Sequence, residues 1–471
     1  MRSRTGRYAA GDTSRHFLYA HLKIRVSMDH VSQRAAGDLP STRPTNRARL
    51  SGEEGALNRN SPGITLQTQT RWLMTTISEN AGASETVRTR DSYQNSIEEM
   101  FLKADIGING TRPFSITVTD KRFYKRVLRD GLLGIGESYM DGWWESDAID
   151  EITSRFIKAD LQKDAYKNPR LILSFLTAKL SGSGKRSEAF EVGEKHYDLG
   201  NDVFEITLDK RMIYSCGYWK DAATLDQAQE NKLDLICKKV GLKPGMRALD
   251  IGCGWGGWAR FAAEKYGVEV VGITVSKEQL KYARDNCSGL PIEIRLQDYR
   301  DLNEQFDRVV SVGMFEHVGH AYYRAFMEVV DRCVKEDGLF LLQTIVANKP
   351  LGTAELPWLT KYIFPNGELP SLAQIAKSAE GLFIVEAFHH FETDYEKTLT
   401  AWYENFLNNW NKIQGSYDQR FFRMWTFYLL LARGTFRSRL AHLWQIVFSK
   451  NGIPNGHHRS IHSDFDSYET R

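Results

Sequence analysis

A chain of 471 residues, 42% hydrophobic and 26% charged, can bury a large core and has room for two or three domains. Its 62 basic and 59 acidic side chains leave a formal charge of only +3, which argues against a protein built to neutralise nucleic-acid phosphates. The five cysteines are widely spaced with no C-x-x-C pair, which points to a reducing, cytoplasmic setting and no metal cluster, and no apolar run approaches the roughly 20 residues that cross a bilayer.

Residues 1–75 are rich in Arg, Ser, Thr, Asn and Gly, carry few acids and show no apolar periodicity, so they read as a disordered extension. Their composition also suits an Arg-rich transit peptide, or a leader ahead of a later start at Met28 or Met74. Order is expected from about Asp91, where Ile97, Met100, Phe101 and the residues 104–106 recur at helical spacing. A strand-like run at 115–118 and a helix-like one at 123–133 complete a small α+β domain, assigned to residues 91–180. Within it, Gly134-Ile135-Gly136-Glu137-Ser138-Tyr139-Met140-Asp141-Gly142-Trp143-Trp144-Glu145 reads as a glycine-punctuated turn whose tryptophans enter the core or face a membrane. The flexible, basic run 181–187 is a linker.

From 188 to 450, short β-branched runs alternate with longer amphipathic stretches, the pattern of a parallel sheet covered by helices. Strands are expected at 247–251, 269–273, 291–296, 307–312 and 338–344, giving an α/β, doubly wound, Rossmann-like domain. Residues 451–471 form a polar tail. The first strand runs into Asp250-Ile251-Gly252-Cys253-Gly254-Trp255-Gly256-Gly257, where glycines allow a sharp turn and a close ligand approach. The spacing of Gly252, Gly254 and Gly257 also fits a dinucleotide fingerprint. Asp250 discriminates, because a carboxylate there repels a pyrophosphate and tolerates the cationic S-adenosylmethionine. The next strand ends in Gly272-Ile273-Thr274, without the acid that holds a dinucleotide ribose. Asp298 and Tyr299, at a later strand end, offer an acceptor and an aromatic face for the adenine.

Longer motifs follow the same order as a known family. Glu194-Lys195-His196-Tyr197-Asp198-Leu199-Gly200-Asn201-Asp202, Met212-Ile213-Tyr214-Ser215-Cys216-Gly217-Tyr218-Trp219 and Val312-Gly313-Met314-Phe315-Glu316-His317-Val318-Gly319 carry the pattern, as do Lys361-Tyr362-Ile363-Phe364-Pro365-Asn366-Gly367 and Leu443-Trp444-Gln445-Ile446-Val447-Phe448. Over residues 91 to 450 the chain resembles the cyclopropane-fatty-acyl-phospholipid synthases, class I S-adenosylmethionine-dependent enzymes. The resemblance implies methyl transfer to the cis double bond of a phospholipid acyl chain through a carbocation, with bicarbonate as the base. It places the anion on Cys216, Glu316, Gln343, a backbone group of Ile345, and Tyr395. Cofactor contacts would fall on Tyr214, Ser215, Gly252, Gly254, Thr274, Gln279, Asp298 and Tyr299. The resemblance also implies a homodimer; a membrane-lipid substrate implies peripheral attachment, on the inner face of the membrane, and the charge balance gives no reason for a nucleic-acid partner.

One departure stands inside the site: the family's histidine is Gln343 here, whose amide can still donate one hydrogen bond and accept another. A working but retuned site is expected; the change favours one rival, a methyl-branched or methylene product, and a catalytically silent lipid-binding relative is a separate alternative. Without the resemblance, Cys216 reads as a small buried filler, Glu316-His317 as a solvated pair at a helix start and Tyr395 as an ordinary amphipathic-helix residue. The basic, aromatic run Lys121-Arg122-Phe123-Tyr124-Lys125-Arg126 suits an anionic bilayer surface and equally a solvated helix face.

Overall fold

The computed structural model describes residues 85–160, 200–352 and 355–457, with side chains from residue 93 onward. The extension 1–75, the last part (161–180) of the expected small domain, the linker 181–187, the motif residues 194–199 and the tail beyond 457 lie outside the described residues. A seven-stranded sheet organises most of the rest. Its strands are β3 (Arg247–Ile251), β4 (Glu269–Thr274), β5 (Ile292–Leu296), β6 (Phe306–Val312), β7 (Val334–Ala347), β8 (Ile384–His390) and β9 (Ala441–Ser449), in the order β5-β4-β3-β6-β7-β9-β8. The strands from β3 to β7 pair in parallel, and β9 lies antiparallel between β7 and β8.

The central parallel strands are largely apolar on both faces because helices cover both, whereas the edge strand β5 alternates Ile292 and Ile294 with Glu293 and Arg295. Leu249, Ile251, Val271 and Leu342 pack on one side, and Ala248, Val270, Val310 and Leu341 on the other. The sheet follows α5 (Leu225–Lys239), and its crossover helices are α6 (Gly257–Tyr266), α7 (Lys277–Asn286) and α8 (Tyr323–Cys333). Side-chain oxygens of Thr224 and Ser276 cap α5 and α7 by accepting from Gln227 and Gln279 backbone N–H groups. All five expected strands form, the first at its expected bounds and the last longer at both ends. Two more were not expected. β8 is an edge strand whose Ile384, Val385 and Phe388 are exposed, so it lacks the alternation that marks a half-buried strand.

Ahead of the sheet, α1 (Glu85–Lys103), β1 (Thr117–Val118), α2 (Arg122–Met140), β2 (Trp144–Glu145) and α3 (Ile149–Lys158) form the expected small α+β unit, with β1 and β2 antiparallel. The stretch from Gly134 differs from its expected turn: α2 continues through Met140, past a break at Gly131 (φ 58°), and only 141–143 turn the chain. Gly136 is there because a Cβ would come 2.3 Å from the Trp358 ring, and Gly134 because one would come 2.6 Å from the Arg126 carbonyl. Trp144 is fully buried, so the core reading holds for it, while Trp143 lies under the Arg122 and Arg126 guanidinium groups at 4.5 and 4.7 Å. In the basic run, Phe123 and Tyr124 are core residues, and Arg122 and Arg126 pair with Asp120 and Glu137.

This unit is built onto the sheet domain through α12 (Gln419–Arg437) and the short α9 (Pro357–Tyr362). Phe427 of α12 meets Tyr139 and Trp144 at 5.4 and 6.3 Å, and Asp150 takes Arg433 and Arg437 at 2.8 and 2.5 Å. Glu137 accepts from Lys361 Nζ at 2.7 Å and Tyr362 Oη at 2.9 Å. One continuous apolar cluster runs from Ile97 and Phe101 to Trp402 and Trp425. Gly434 lets α3 and α12 touch, since a Cβ there would lie 2.3 Å from the Asp150 carbonyl oxygen. Gly434→Ala is therefore expected to cost about 1–3 kcal/mol, whereas Gly415→Ala, with open space at its Cβ, should stay within about 0.5 kcal/mol. Denaturant melts of the two variants check this; equal stabilities would show that the α3–α12 contact yields freely.

Candidate active site

The glycine loop leaves the carboxyl end of β3 and enters α6. Gly252, Gly254 and Gly256 hold φ of 85°, 54° and 81°, a region closed to most side chains. A Cβ on Gly252 would also stand 2.9 Å from Met314, so this loop and the one after β6 approach backbone to side chain. Thr274 ends β4 and donates to Gln279 Oε1 at 2.8 Å across the start of α7. Asp298 and Tyr299 follow β5; the Asp298 carboxylate accepts from Arg300 at 2.8 and 2.6 Å, which holds it below the usual carboxylate range. Tyr299 rests edge-on against Phe326 at 5.3 Å. Asp250 itself is only 3% exposed, and burial raises its carboxyl to about 7 against the pull of Lys232. These expected cofactor residues thus gather along the carboxyl edge of β3, β4 and β5, where open α/β sheets bind ligands.

Tyr214, Ser215 and Cys216 belong to the loop between α4 (Asn201–Thr207) and α5, and that loop is shaped by buried polar groups. Asp209 accepts from the backbone N–H groups of Ile213 at 2.8 Å and Arg211 at 3.0 Å, holding Met212 at φ 57°. Beneath, Lys232 donates to Ser215 Oγ and Gln229 to the Ser215 carbonyl, each at 2.8 Å. Burial lowers Lys232 to about 8, and Asp209, Cys216 and Asp250 oppose the shift, so one ammonium balances the acids around it. From the other side, Thr398 of α11 (Asp394–Asn409) accepts from the Gly217 N–H at 3.1 Å and Trp219 Nε1 at 2.9 Å and lies 3.7 Å from Cys216 Sγ. Cys216 is fully buried; burial first, then the charge of Asp394, keeps its thiol protonated.

Glu316 lies in a short 3-10 turn after β6 and is 6% exposed, which overturns the solvated-pair expectation. Its Oε1 accepts the Ile345 N–H at 2.6 Å, while its Oε2 is buried without a hydrogen-bond partner. Desolvation raises the carboxyl to about 7, opposed by the Ile345 bond. The Ile345 N–H is thus used to hold Glu316. Two residues back on the same face of β7, Gln343 is fully buried; its Oε1 is bonded to Gln445, and its Nε2 has no partner. Ile345 packs on the cluster that contains Cys216 and Tyr395. Tyr395, on α11, stacks on Phe436 at 4.1 Å, and its phenol is raised by burial and then by the neighbouring Tyr428, Cys216 and Glu316. Cys216, Glu316, Ile345 and Tyr395 thus neighbour one another, and Gln343 stands two residues before Ile345 on the same face of β7.

Aromatic rings wall this group. Tyr214 meets Trp402 at 5.3 Å and Phe364 at 6.4 Å, its hydroxyl lies 2.7 Å from that of Tyr428, and Phe364 also meets Tyr428 and His317. A pocket of protonated donors, one poised carboxyl and ring faces can hold a small oxyanion and tolerate a cation. The sequence reading missed Lys232, Gln229, Thr398, Tyr428 and Gln445 as its supports. Their signal is weak: Gln229, Lys232 and Thr398 sit in amphipathic helices where only burial distinguishes them from surface residues, Tyr428 sits in an apolar helical run, and Gln445 stands out only as part of a family motif.

Known proteins align with this arrangement. The mycolic acid cyclopropane synthetase family matches residues 184–446. The cyclopropane-fatty-acyl-phospholipid synthase of Escherichia coli (strain K12) is 51% identical over 366 residues, covering 78% of this chain and 95% of that protein. A probable fatty acid methyltransferase of Pseudomonas putida is 41% identical over 58% of this chain and 72% of its own. Among solved structures, the mycolic acid cyclopropane synthase CmaA1 complexed with SAH and CTAB superposes with a TM-score of 0.51 at 33% identity, over 55% of this chain and 98% of that one.

Glu316 gives a pH test. Its folded pKa of about 7 exceeds the 4.5 of an ordinary glutamate, so the folded chain keeps a proton that the unfolded chain releases between those values. Its contribution is complete below 4.5 and lost as pH rises through about 7. Relative to Glu316→Gln, the native protein should therefore lose on the order of 1–3 kcal/mol between about pH 4.5 and pH 8, read from denaturant melts of both; parallel pH profiles would show that Glu316 is not desolvated.

Proposed function

The chain belongs to the mycolic acid cyclopropane synthetase family, and from that premise we propose that it makes cyclopropane fatty acyl chains on unsaturated membrane phospholipids. It is an S-adenosylmethionine-dependent methyltransferase of class I fold. The observation that carries the substrate class is the identity to the Escherichia coli synthase along nearly that protein's whole length, the small amino-terminal unit included.

In the proposed reaction, the π electrons of a cis double bond attack the sulfonium methyl of S-adenosylmethionine. The S–CH3 bond breaks, S-adenosylhomocysteine leaves, and the cation on the acyl chain loses a proton from the new methyl as the second C–C bond closes the ring. Bicarbonate would supply the base for that proton. The unpartnered Glu316 Oε2 and Gln343 Nε2 suit it, one as acceptor for its O–H and one as donor to its oxygens. Cys216 and Tyr395, both kept protonated by burial, add donors. Tyr214, Phe364 and Tyr428 offer ring faces to the acyl cation, and the closed pocket keeps water from adding to it. Asp250, the glycine loop, Thr274, Gln279, Asp298 and Tyr299 would receive S-adenosylmethionine, with Tyr214 and Ser215 between the two substrates.

Among the described residues no helix is long and apolar enough to cross a membrane. The substrate double bond lies within a bilayer, so the reading includes peripheral docking on the inner face of the membrane and a homodimer formed through the small amino-terminal domain. Gln343 favours one rival reading, a methyl-branched or methylene product, because the group facing the anion is no longer a histidine.

The test incubates purified protein with vesicles of cis-unsaturated phospholipid and methyl-labelled S-adenosylmethionine and analyses the acyl chains by gas chromatography and mass spectrometry. A cyclopropane product is expected; a branched or methylene chain would move the protein to the rival reading. In the same assay Glu316→Gln should lower turnover by about 10²-fold or more with S-adenosylmethionine binding retained, and lost binding would remove Glu316 from the role of anion partner. Gln343→His should hold or raise activity; a large fall would mean that Gln343 serves another chemistry.

A further inference from the structure

Gln343 is aimed from behind. Its Oε1 accepts from Gln445 Nε2 at 2.8 Å across the β7–β9 pair, and Gln445 Oε1 accepts from Lys239 Nζ at 2.7 Å. All three side chains are at most 1% exposed. Lys239 is the last residue of α5, seven positions after Lys232, so one helix face carries both buried amines beneath the site. Its nitrogen also lies 2.7 Å from His389 Nδ1 and 5.7 Å from the centre of the Phe391 ring.

An amide taken alone can be placed either way round, because its oxygen and nitrogen are nearly the same size. A lysine removes that freedom, since an ammonium donates and never accepts. Gln445 must turn its oxygen to Lys239, which leaves its NH2 for Gln343; Gln343 must accept with its oxygen, which leaves its own NH2 facing the pocket. That last group is the buried nitrogen without a partner. Burial lowers Lys239 to about 7, so the sense of the chain is fixed firmly below that pH, where the amine is charged and only donates, and less firmly above it, where its lone pair can also accept.

We propose that Lys239 and Gln445 are positioning residues that set the polarity of Gln343, so that it presents an N–H donor and not a carbonyl oxygen to the reaction pocket. The ligand this selects is a small oxyanion; the identification of that anion as bicarbonate rests on the function proposed above. The reverse orientation would turn a carbonyl oxygen toward a pocket that already holds the open Glu316 Oε2, and two acceptors there repel an anion. The arrangement also explains how glutamine serves at position 343. A histidine there, accepting from Gln445 on one ring nitrogen, would be fixed in the tautomer that donates from the other.

Gln445→Glu tests the relay with little change of shape. The introduced carboxylate pairs with Lys239, so the fold is kept, but neither of its oxygens can donate; Gln343 then turns its NH2 to that carboxylate and its oxygen to the pocket. Three readouts are taken on the intact protein: turnover on vesicles of cis-unsaturated phospholipid, the KM for S-adenosylmethionine, and line broadening of 13C-bicarbonate by NMR. Turnover should fall roughly 10²-fold while that KM changes less than about twofold, and bicarbonate broadening seen with the native protein should disappear. Adding Gln343→His should restore both, because a histidine beside a carboxylate is protonated and donates in both directions. Native turnover in Gln445→Glu, or a loss that Gln343→His does not recover, overturns the relay. If the native protein never broadens bicarbonate, yet Gln445→Glu loses turnover and the double variant regains it, the relay stands and the choice of bicarbonate falls.

Discussion

The hydrogen bond from the Ile345 amide to Glu316 Oε1, 2.6 Å long, ties the turn after β6 to strand β7 in a largely buried place. The same bond explains why Glu316 is poised. With one oxygen satisfied and the other open, desolvation and the amide oppose each other and leave the carboxyl near neutrality, at about 7. Around it the desolvation acts on weaker acids, and Cys216 and Tyr395 keep their protons. A thiol, a phenol and an amide NH2 are donors. A pocket rich in donors and poor in strong side-chain bases is suited to holding an anion that takes up a proton, and poorly suited to taking it up unaided.

The place of this pocket follows from strand order. From β3 the chain winds outward through β4 and β5, then returns to place β6 and β7 on the other side of β3. The gap between β3 and β6 is the switch point of the sheet, and the loops leaving these two strands start side by side above it. One is the glycine loop and the other carries Met314 and Glu316, which is why a side chain at Gly252 would strike Met314. The last strand, β9, runs antiparallel against β7 and places Gln445 opposite Gln343. The glycine loop, Glu316 and the Gln343–Gln445 pair are thus brought together by neighbouring strands.

How much of this was legible in the sequence depended on what each residue was asked to reveal. Strands β3, β4, β6 and β7 could be read because burial on both faces writes largely apolar runs, and β5 because Ile292 and Ile294 alternate with Glu293 and Arg295. The edge strand β8, with Ile384, Val385 and Phe388 in solvent, carries no such signal. Gly134 and Gly136 looked like a turn because a helix seldom spends two glycines, and here close packing on Arg126 and Trp358 outweighs helix propensity. At the site, Cys216, Glu316 and Tyr395 were legible through their family motifs and not through their own surroundings. Lys232 and Lys239 were illegible, since Leu225–Lys239 contains polar residues throughout and a lysine in such a helix normally meets water.

Helix α12 joins the two parts of the described chain to the chemistry. Arg433, Arg437 and Gly434 grip α3 through Asp150, and Phe427 enters the core of the small unit between Tyr139 and Trp144. The very next residue, Tyr428, points the other way and places its hydroxyl 2.7 Å from that of Tyr214 in the site wall. Close-packed interiors transmit such constraints because a side chain in a filled space cannot move without its neighbours. The small unit therefore stabilises more than itself. By holding α12, and by holding α9 through Glu137, it fixes two walls of the pocket, Tyr428 directly and Phe364 just beyond the end of α9. A site that must exclude water from a cation needs its walls held from behind, and the small unit supplies that support.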